Sequence, residues 1–408
     1  MIRPAFPVAI RRLRPTVVAL LVIFLVSASF AFGAVLVVHP DGSGPYPSIQ
    51  VAIDAAASGD VIELTDGVFQ GSGNGNLDTR GKVLTFRSQS GSAESCVISL
   101  GGAQFIGNMG SSPGLRVESL QLLHARGTYI YQSTMEFASC ILESCFSVVS
   151  GGYASVGYTD CLFRNPAGSQ SGVGENGSLY LDGCVVQGAS APVFQTNHLQ
   201  ATDCRFEANE AECLIEGEFS FFPASIDLER CQFLGNECSD ALIRGGEAYL
   251  EADECTFAEN EGTTIRWDAS YGMSPEVEIR LTSCTLAENR GAGTPEISVR
   301  SEGGSAVALA LEQTILAFRD GGPAVVCTGI TGIAATCSDV YGNSGGDWTG
   351  CLAGLDGTGG NLSADPLFCR QQPNPYLLRE DSPCLPHGAC GLIGAWGSGC
   401  PVAGAGEG

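Results

Sequence analysis

The stretch Cys231-Gln-Phe-Leu-Gly-Asn236 recurs with small changes through the middle of the chain. Each copy begins at a cysteine followed by alternating apolar residues, and in most copies an asparagine follows within five positions. The copies begin at Cys140, Cys161, Cys184, Cys204, Cys231, Cys255 and Cys284. Successive copies are 21, 23, 20, 27, 24 and 29 residues apart. Self-similarity at such a period is typical of solenoids and propellers.

Apolar residues alternate on both sides of the repeated stretch. Ile226-Asp-Leu228 precedes one cysteine, and Leu242-Ile243-Arg244 follows the next asparagine. Alternation with period two predicts strands with one buried face, and no helical period interrupts them. A repeat of this length holds three short strands, whereas a propeller blade needs about 40 residues. The sequence therefore predicts an all-β fold, a parallel β-helix solenoid of about ten coils.

Stacked coils place each repeated residue over its counterpart, about 4.8 Å away. Inward cysteine acts as a small hydrophobe, and asparagine at a turn tolerates left-handed backbone. Parallel side chains keep their Cβ atoms slightly too far apart for bridging, so we expect free buried thiols. The four histidines are scattered, so no metal site is predicted. The residues expected to form these structural columns are Cys161, Cys204, Cys231, Cys255, Cys284, Asn209, Asn236, Asn260 and Asn289.

The first 33 residues have the pattern of a secretory signal peptide. Four arginines precede the apolar run Val17–Val26, and Ala31-Phe-Gly33 resembles a cleavage site. An uncleaved membrane anchor is the alternative, although a span needs about 20 apolar residues. We therefore expect export to the extracellular space or cell surface, no membrane span in the mature chain, and some disulfides.

Both ends of the solenoid are expected to be capped. Residues 34–95 are predicted to form the N-terminal cap and first coils, with an amphipathic helix over 48–57. Residues 96–345 are predicted to form the repeats, and 346–408 a loop-rich C-terminal cap. Seven cysteines lie in the last 82 residues, so at least one is free or pairs upstream. Cys384 and Cys390 are one candidate pair, because they would close a tight loop.

Two terminal segments resemble a known group. Asp41-Gly-Ser-Gly-Pro-Tyr-Pro47 resembles the opening of pectin-lyase-like superfamily proteins, and Ser363-Ala-Asp-Pro-Leu-Phe-Cys369 is similar to the ends of secreted bacterial β-helix proteins. The resemblance implies a right-handed parallel β-helix. The catalytic motifs of pectin methylesterases, polygalacturonases and pectate lyases are absent, so no catalytic residue is transferred. Fold alone does not fix activity.

The net charge is −24, with 20 Lys and Arg against 44 Asp and Glu. This balance excludes the basic surface of a nucleic-acid-binding protein. Residues 201–280 hold 19 of the acids and only five arginines. Such a surface repels polyanionic glycans unless Ca²⁺ bridges the two.

Candidate site residues lie in this acidic region. Glu216, Arg244 and Arg266 end successive second strands, and Arg300 is a further candidate for the same outward column. Longer turns over 217–224 and 267–275 could wall a groove there. A solvated face of mixed charge is the alternative interpretation. The catalytic candidates are Glu216, Arg244, Arg266 and Asp268, and the binding candidates are Glu247, Glu251, Trp267 and Tyr271. Covering the core is the alternative role for the two aromatic residues.

Two hypotheses of function follow. The first is a monomeric, non-catalytic protein that binds polysaccharide or serves as a cell-surface scaffold. The alternative is a polysaccharide lyase or glycoside hydrolase acting near residues 216–300. Neither requires a cofactor, apart from Ca²⁺ that carboxylates can hold. An enzyme should place carboxylates and an arginine about one coil apart in a groove, whereas a scaffold should show dispersed charge.

Overall fold

The fold of the chain is known from a computed structural model. It describes residues 33–109, 114–146, 148–168, 171–217, 224–269, 276–302, 305–386 and 388–402. The expected signal peptide therefore lies outside the described residues, except for Gly33. In the described part of the chain, no helix is both long and apolar enough to cross a membrane.

Each coil of the molecule has three faces. The first face comes before the cysteine turn: Val35–Val38, Val61–Leu64, Leu84–Ser88, Gly114–Glu118, Thr134–Ala138, Ser155–Thr159, the second half of Ser171–Asp182, the second half of Phe194–Thr202, Ala224–Glu229, Ala248–Asp253, Glu276–Thr282, Ala306–Glu312 and Gly332–Thr336. The second face follows that turn: Gly67–Phe69, Cys96–Ser99, Gln121–Leu123, Ile141–Glu143, Leu162–Arg164, Val185–Gln187, Arg205–Glu207, Gln232–Leu234, Thr256–Ala258, Thr285–Ala287, Ile315–Ala317 and Asp339–Tyr341.

The third face closes each coil. Its strands are Leu77–Asp78, Ile106–Asn108, Thr128–Tyr131, Val149–Gly152, the first halves of Ser171–Asp182 and Phe194–Thr202, Glu210–Ala211, Ile215–Gly217, Glu237–Gly245, Glu261–Ala269, Ile297–Ser301 and Val325–Thr328. All three faces pair in parallel from coil to coil, so the predicted parallel β-helix is confirmed. The second sheet has 12 strands in the described residues, more than the ten coils expected. The number of coils expected from the sequence was too low, because the early coils lack the repeated stretch that begins at a cysteine.

In-register stacking builds the core. Leu199 pairs with Ile226, which pairs with Leu250, and all three are buried. On the second face, Phe206, Phe233 and Phe257 stack with ring centroids 4.4 and 4.8 Å apart. Offset or stacked aromatic pairs add to the stabilisation from burial, so a column of like residues favours one register.

The repeated cysteines form a column of free, buried thiols, as expected. Cys284 Sγ donates to the carbonyls of Ala252 and Thr282, both at 3.3 Å. Thr314 continues the column without sulfur, because its Oγ1 donates to Leu281 and Glu312 in the same pattern. Among the buried thiols elsewhere in the coils, burial raises the pKa of Cys145 and Cys213 to about 12. Such thiols are chemically inert.

Asparagines form a second buried column. Asn260 Nδ2 donates to Asn289 Oδ1 (3.0 Å) and to Phe233 O (2.9 Å), and its Oδ1 accepts from Asn236. These asparagines do not adopt the left-handed backbone that asparagine tolerates at a turn. The residue before each one has positive φ, for example 58° at Glu259. That kink turns the asparagine side chain inward, where it forms hydrogen bonds with backbone N–H and C=O groups of the neighbouring coils.

A buried ion pair interrupts the asparagine column, which continues at Asn343. Arg319 occupies the position after Asn289, and its backbone N–H donates to Asn343 Oδ1 (3.1 Å). Its guanidinium lies 2.8 Å from Glu296, and both side chains are almost fully buried. Glu296 Oε1 accepts from Asn289 Nδ2 (3.0 Å), and Arg319 also donates to Gly262 O (2.7 Å). Burial raises the pKa of Glu296, while the charge of Arg319 opposes that shift.

The N-terminal cap is the helix Ile49–Ala55, close to the predicted range, with Ser48 as its N-cap. The C-terminal cap contains the short helical turn Gly350–Leu352 and the paired strands Leu378–Arg379 and Ser398–Cys400; a similar turn, Ala93–Ser95, lies in an early coil.

Three disulfides hold the C-terminal end: Cys327–Cys351, Cys337–Cys390 and Cys369–Cys400. The candidate pair Cys384–Cys390 is therefore wrong. Cys384 is instead a free thiol buried beneath the cap, and its Sγ lies 3.4 Å from Asp339 Oδ2. A short sequence separation did not predict this connectivity, because the cap folds Cys390 back against the last coil.

Candidate functional site

The predicted column of Glu216, Arg244 and Arg266 exists on the third face. Glu216 pairs with Arg244, and Arg244 pairs with Arg266, one coil apart at each step. The expected continuation to Arg300 is wrong, because Arg266 pairs with Ser298. Arg300 lies instead beside Asp268, two positions farther along the strand. Strand alternation therefore gives two parallel outward columns rather than one.

Shared carboxylates join the arginines of this column. Arg244 donates from Nε to Glu216 Oε1 (2.9 Å) and from Nη1 to Asp240 Oδ2 (3.1 Å). Arg266 donates from Nη1 to the other oxygen of Asp240 (2.6 Å) and from Nε to Asp268 Oδ2 (2.8 Å). Asp240 therefore bridges two guanidinium groups on neighbouring coils. Networked charge pairs of this kind orient one another more firmly than isolated surface pairs do.

An open pocket of about 280 Å³ lies over this network. Its floor includes Gly245 and Gly246, which leave space between the charged side chains. A Cβ at Gly245 would meet Trp267 at 2.5 Å, so only glycine fits above that ring. The pocket is lined by Glu216, Gly217, Asp240, Arg244, Gly245, Gly246, Glu247, Arg266 and Asp268. We call this the charged groove.

Of the two roles expected for Trp267, the structure shows the alternative one, because this residue covers the core and offers no surface for stacking on a sugar. Its side chain has 0% exposure, and Nε1 donates to Ala248 O (3.0 Å) inside the solenoid. It packs in the core because strand alternation turns it opposite to Arg266 and Asp268. Tyr271, the other aromatic candidate, lies outside the described residues. So do most of the two long turns expected to wall the groove, 218–223 and 270–275.

The two remaining binding candidates occupy different places. Glu247 lines the charged groove but is only 5% exposed, and it accepts a hydrogen bond from Ser305 Oγ (3.1 Å). Glu251 is exposed on the first face, in register with Arg280 of the next coil. It therefore does not join the charged groove.

The electrostatics of the groove keep its arginines protonated. Burial lowers the pKa of Arg244, but hydrogen bonds to Glu212 and Asp240 and the nearby charge of Glu216 outweigh it, so the net pKa is raised. The hydrogen bond to Asp268 raises the pKa of Arg266. In the parts of the chain that the structure describes, no group of three His, Cys, Asp or Glu side chains is placed to hold a metal ion.

Sequence reasoning missed two members of this site. Asp240 was not singled out, although it lies in Glu237–Gly245 four residues before Arg244. Gln195 was also missed, and its Nε2 donates to Glu216 Oε2 (2.7 Å) from the preceding coil. Extending the outward column by one coil would have identified Gln195. Asp240 lies beside an irregularity in strand pairing, which no periodic pattern predicts.

A larger crevice, about 570 Å³, lies between the C-terminal cap and the second face. Trp396 and Tyr376 line it, but both are held by the protein. Trp396 Nε1 donates to Thr256 Oγ1 (2.7 Å), and Tyr376 donates to Glu259 (3.0 Å). These bonds dock the cap onto the coils. The charged groove has the greater concentration of ionic groups, and it is therefore the candidate site.

No protein-family model and no curated protein matches the chain. The crystal structure of pectate lyase Pel9A resembles it at 13% identity and a TM-score of 0.34, over 91% of this chain and 98% of that one. A likeness this weak carries no argument about activity. The fold assignment rests on the parallel registers described above, and membership of the pectin-lyase-like superfamily stays a prediction.

Proposed function

We propose that this protein binds a hydroxyl-rich, uncharged glycan in the charged groove without cleaving it. The observation that carries the proposal is the network in which Asp240 bridges Arg244 and Arg266 across an open pocket. Carboxylate and guanidinium groups held in fixed orientations are suited to the paired donors and acceptors of sugar hydroxyls. The surplus of carboxylates disfavours polyanionic glycans.

The protonation of the arginines favours binding over lyase chemistry. A lyase needs a group that removes a proton, and such a group works best with a pKa near the working pH. The carboxylates around Arg244 and Arg266 raise both pKa values instead. These arginines therefore remain donors, which suits recognition of hydroxyl oxygens.

Binding is tested with Arg266→Ala, because this side chain is 46% exposed and we expect the fold to tolerate its loss. We expect immobilised neutral polysaccharide to bind the wild-type protein and to bind this variant roughly tenfold more weakly. Arg280→Ala is the matched control, since Arg280 also bridges two carboxylates but lies on the first face. Equal affinity for Arg266→Ala and wild type would contradict the proposal.

Hydrolysis is a second candidate, favoured by one observation. Glu216 and Asp240 both contact Arg244, so two carboxylates lie close together in the groove, and glycosidases act through a pair of carboxylates that flank the scissile bond. The test is the appearance of new reducing ends in the same polysaccharide panel, with and without Ca²⁺. Products that disappear with Glu216→Gln and Asp240→Asn would replace the binding proposal with an enzymatic one.

A further inference from the structure

Three tyrosines are exposed toward the N-terminal end of the solenoid, two on the third face and one, Tyr153, in the turn that follows it. Tyr129 is 66% exposed, Tyr131 is 53% exposed and Tyr153 is 47% exposed. Tyr129 and Tyr131 both point outward from Thr128–Tyr131, because they are two residues apart on one strand. Tyr131 and Tyr153 contact edge to face, with ring centroids 5.8 Å apart. We call these three residues the tyrosine platform.

The tyrosine platform lies on the same outward column as the charged groove. Tyr129 pairs with Ser150, Ser150 with Gly172, and Gly172 with Gln195, one coil at a time. Gln195 then pairs with Glu216 at the edge of the groove. Six coil spacings of about 4.8 Å place Tyr129 roughly 29 Å from Arg266 along the solenoid axis.

The column between the two sites is uncharged. Its register positions are Tyr129, Ser150, Gly172 and Gln195, in a chain with a net charge of −24. The side chain of Gln195 donates to Glu216 and so joins the uncharged part to the groove. Exposed aromatic rings form an apolar flat surface with a polar rim, which matches the face of a sugar ring. An uncharged column of this kind is suited to bind an uncharged polysaccharide.

We propose that the tyrosine platform is a second subsite for the same neutral polysaccharide, which lies along the third face from the platform to the charged groove. This inference rests on the proposed function, because the groove supplies the other point of attachment. Two attachment points on one chain raise the affinity only for oligosaccharides long enough to reach both. The platform therefore selects for chain length, and the groove binds short and long chains alike.

The experiment measures affinity against the length of neutral oligosaccharides, from disaccharides to chains longer than roughly 29 Å. We expect wild-type affinity to rise once the chain spans both sites. Tyr129→Ala together with Tyr131→Ala should weaken binding of long chains about three- to tenfold and leave disaccharide binding unchanged. Tyr129→Phe with Tyr131→Phe should restore long-chain affinity, because the rings remain. Both side chains are exposed, so the variants should fold like the wild type.

Tyr180→Ala is the matched control, because Tyr180 is 46% exposed but lies on the first face, in register with Gly157. It should bind like wild type at every length. One outcome would overturn the subsite but not the proposed function. In that outcome, the double alanine variant binds long oligosaccharides as tightly as the wild type, while Arg266→Ala still weakens binding. Absence of binding to any neutral oligosaccharide would overturn both the subsite and the proposed function.

Discussion

The coils and the C-terminal cap use cysteine in opposite ways. In the coils, cysteines such as Cys204 and Cys255 are buried thiols that donate weak hydrogen bonds to the chain. In the cap, Cys390 is bonded to Cys337 of the last coil across 53 residues of sequence. Because the coils repeat, each coil supplies hydrogen-bond partners and packing to the next one. The cap has no further coil stacked on it, and it depends on disulfide bonds instead.

This difference teaches where stability comes from in each region. A coil residue contributes through a neighbour about 4.8 Å away on each side, so one substitution disturbs three coils. A cap residue contributes by closing a loop, so its loss should disturb the cap alone. Three substitutions test this division, in order of decreasing effect.

The largest expected effect is that of Asn260→Leu in the coil interior. The change removes the bonds from Nδ2 to Asn289 and Phe233 and leaves the Asn236 backbone donor unpaired. Because each buried unsatisfied group costs about 1–3 kcal/mol, we expect a loss of about 3–5 kcal/mol in the free energy of unfolding. Denaturant titration measures it. Asn165→Gly is the control, at an exposed turn with φ of 50°, and should change stability little.

A loss below 1 kcal/mol for Asn260→Leu would show that the asparagine column is not a main source of coil stability. Hydrogen exchange on the same variant locates the effect. Faster exchange should extend over the strands Gln232–Leu234 and Thr285–Ala287, on the coils either side.

An intermediate effect is expected for the double variant Cys337→Ala, Cys390→Ala. Loss of this link should destabilise the cap by about 2–4 kcal/mol, because the unfolded loop regains conformational freedom. Protease cleavage within 346–402 should accelerate, while the coil strands stay protected. Cys204→Ala is the control that removes a free coil thiol, and it should leave cap cleavage at the wild-type rate. Equal cleavage of the double variant and wild type would contradict the division between the two regions.

The smallest effect is expected at Asp339, where the last coil meets the cap. Burial raises its pKa from 3.8 to about 6, although a hydrogen bond from the Ala364 N–H (3.0 Å) opposes the shift. The folded state therefore holds this proton more tightly than the unfolded chain. Its contribution to stability is greatest below pH 3.8 and is lost as the pH rises through about 6.

Asp339→Asn mimics the protonated acid and should stabilise the protein above pH 7 by about 1–3 kcal/mol. The gain should vanish below pH 4, when the wild-type carboxyl is protonated. Thermal unfolding of both proteins across this pH range measures the difference. Asp356→Asn, at an exposed position of the same cap, is the control. A gain independent of pH would show that titration of Asp339 is not its cause.

Much of the coil body could be predicted from the sequence, because its pattern repeats. Alternation around Ile226 and Leu250 fixed which residues face inward, and the cysteine spacing located the turns. The outward column from Glu216 to Arg266 followed from the same count. The same alternation buries Trp267 between Arg266 and Asp268, so it has the core role rather than the binding role of the two that the sequence allowed.

The cap and the groove depend on contacts between residues that no period relates. Cys390 reaches Cys337 because the chain after 346 folds back, and spacing alone cannot give that connectivity. Asp240 joins Arg244 and Arg266 where strand pairing shifts register. Arg319 takes the position after Asn289 in the asparagine column and forms a buried ion pair with Glu296. Each depends on tertiary packing that a linear pattern does not record.

The stretch from the cysteine position to the asparagine position, which carries the second-face strand, has a constant length of five residues. Cys145 follows Cys140, Asn209 follows Cys204 and Arg319 follows Thr314 at this spacing, and a left-handed residue precedes both members of the later pairs. All length variation among the repeats therefore falls outside this stretch, for instance over 217–224. We therefore expect insertions between the third-face and first-face strands to leave the second face unaltered. For protein engineering, the second face is the constant part of every coil, and the connections between the third-face and first-face strands are the positions for new loops.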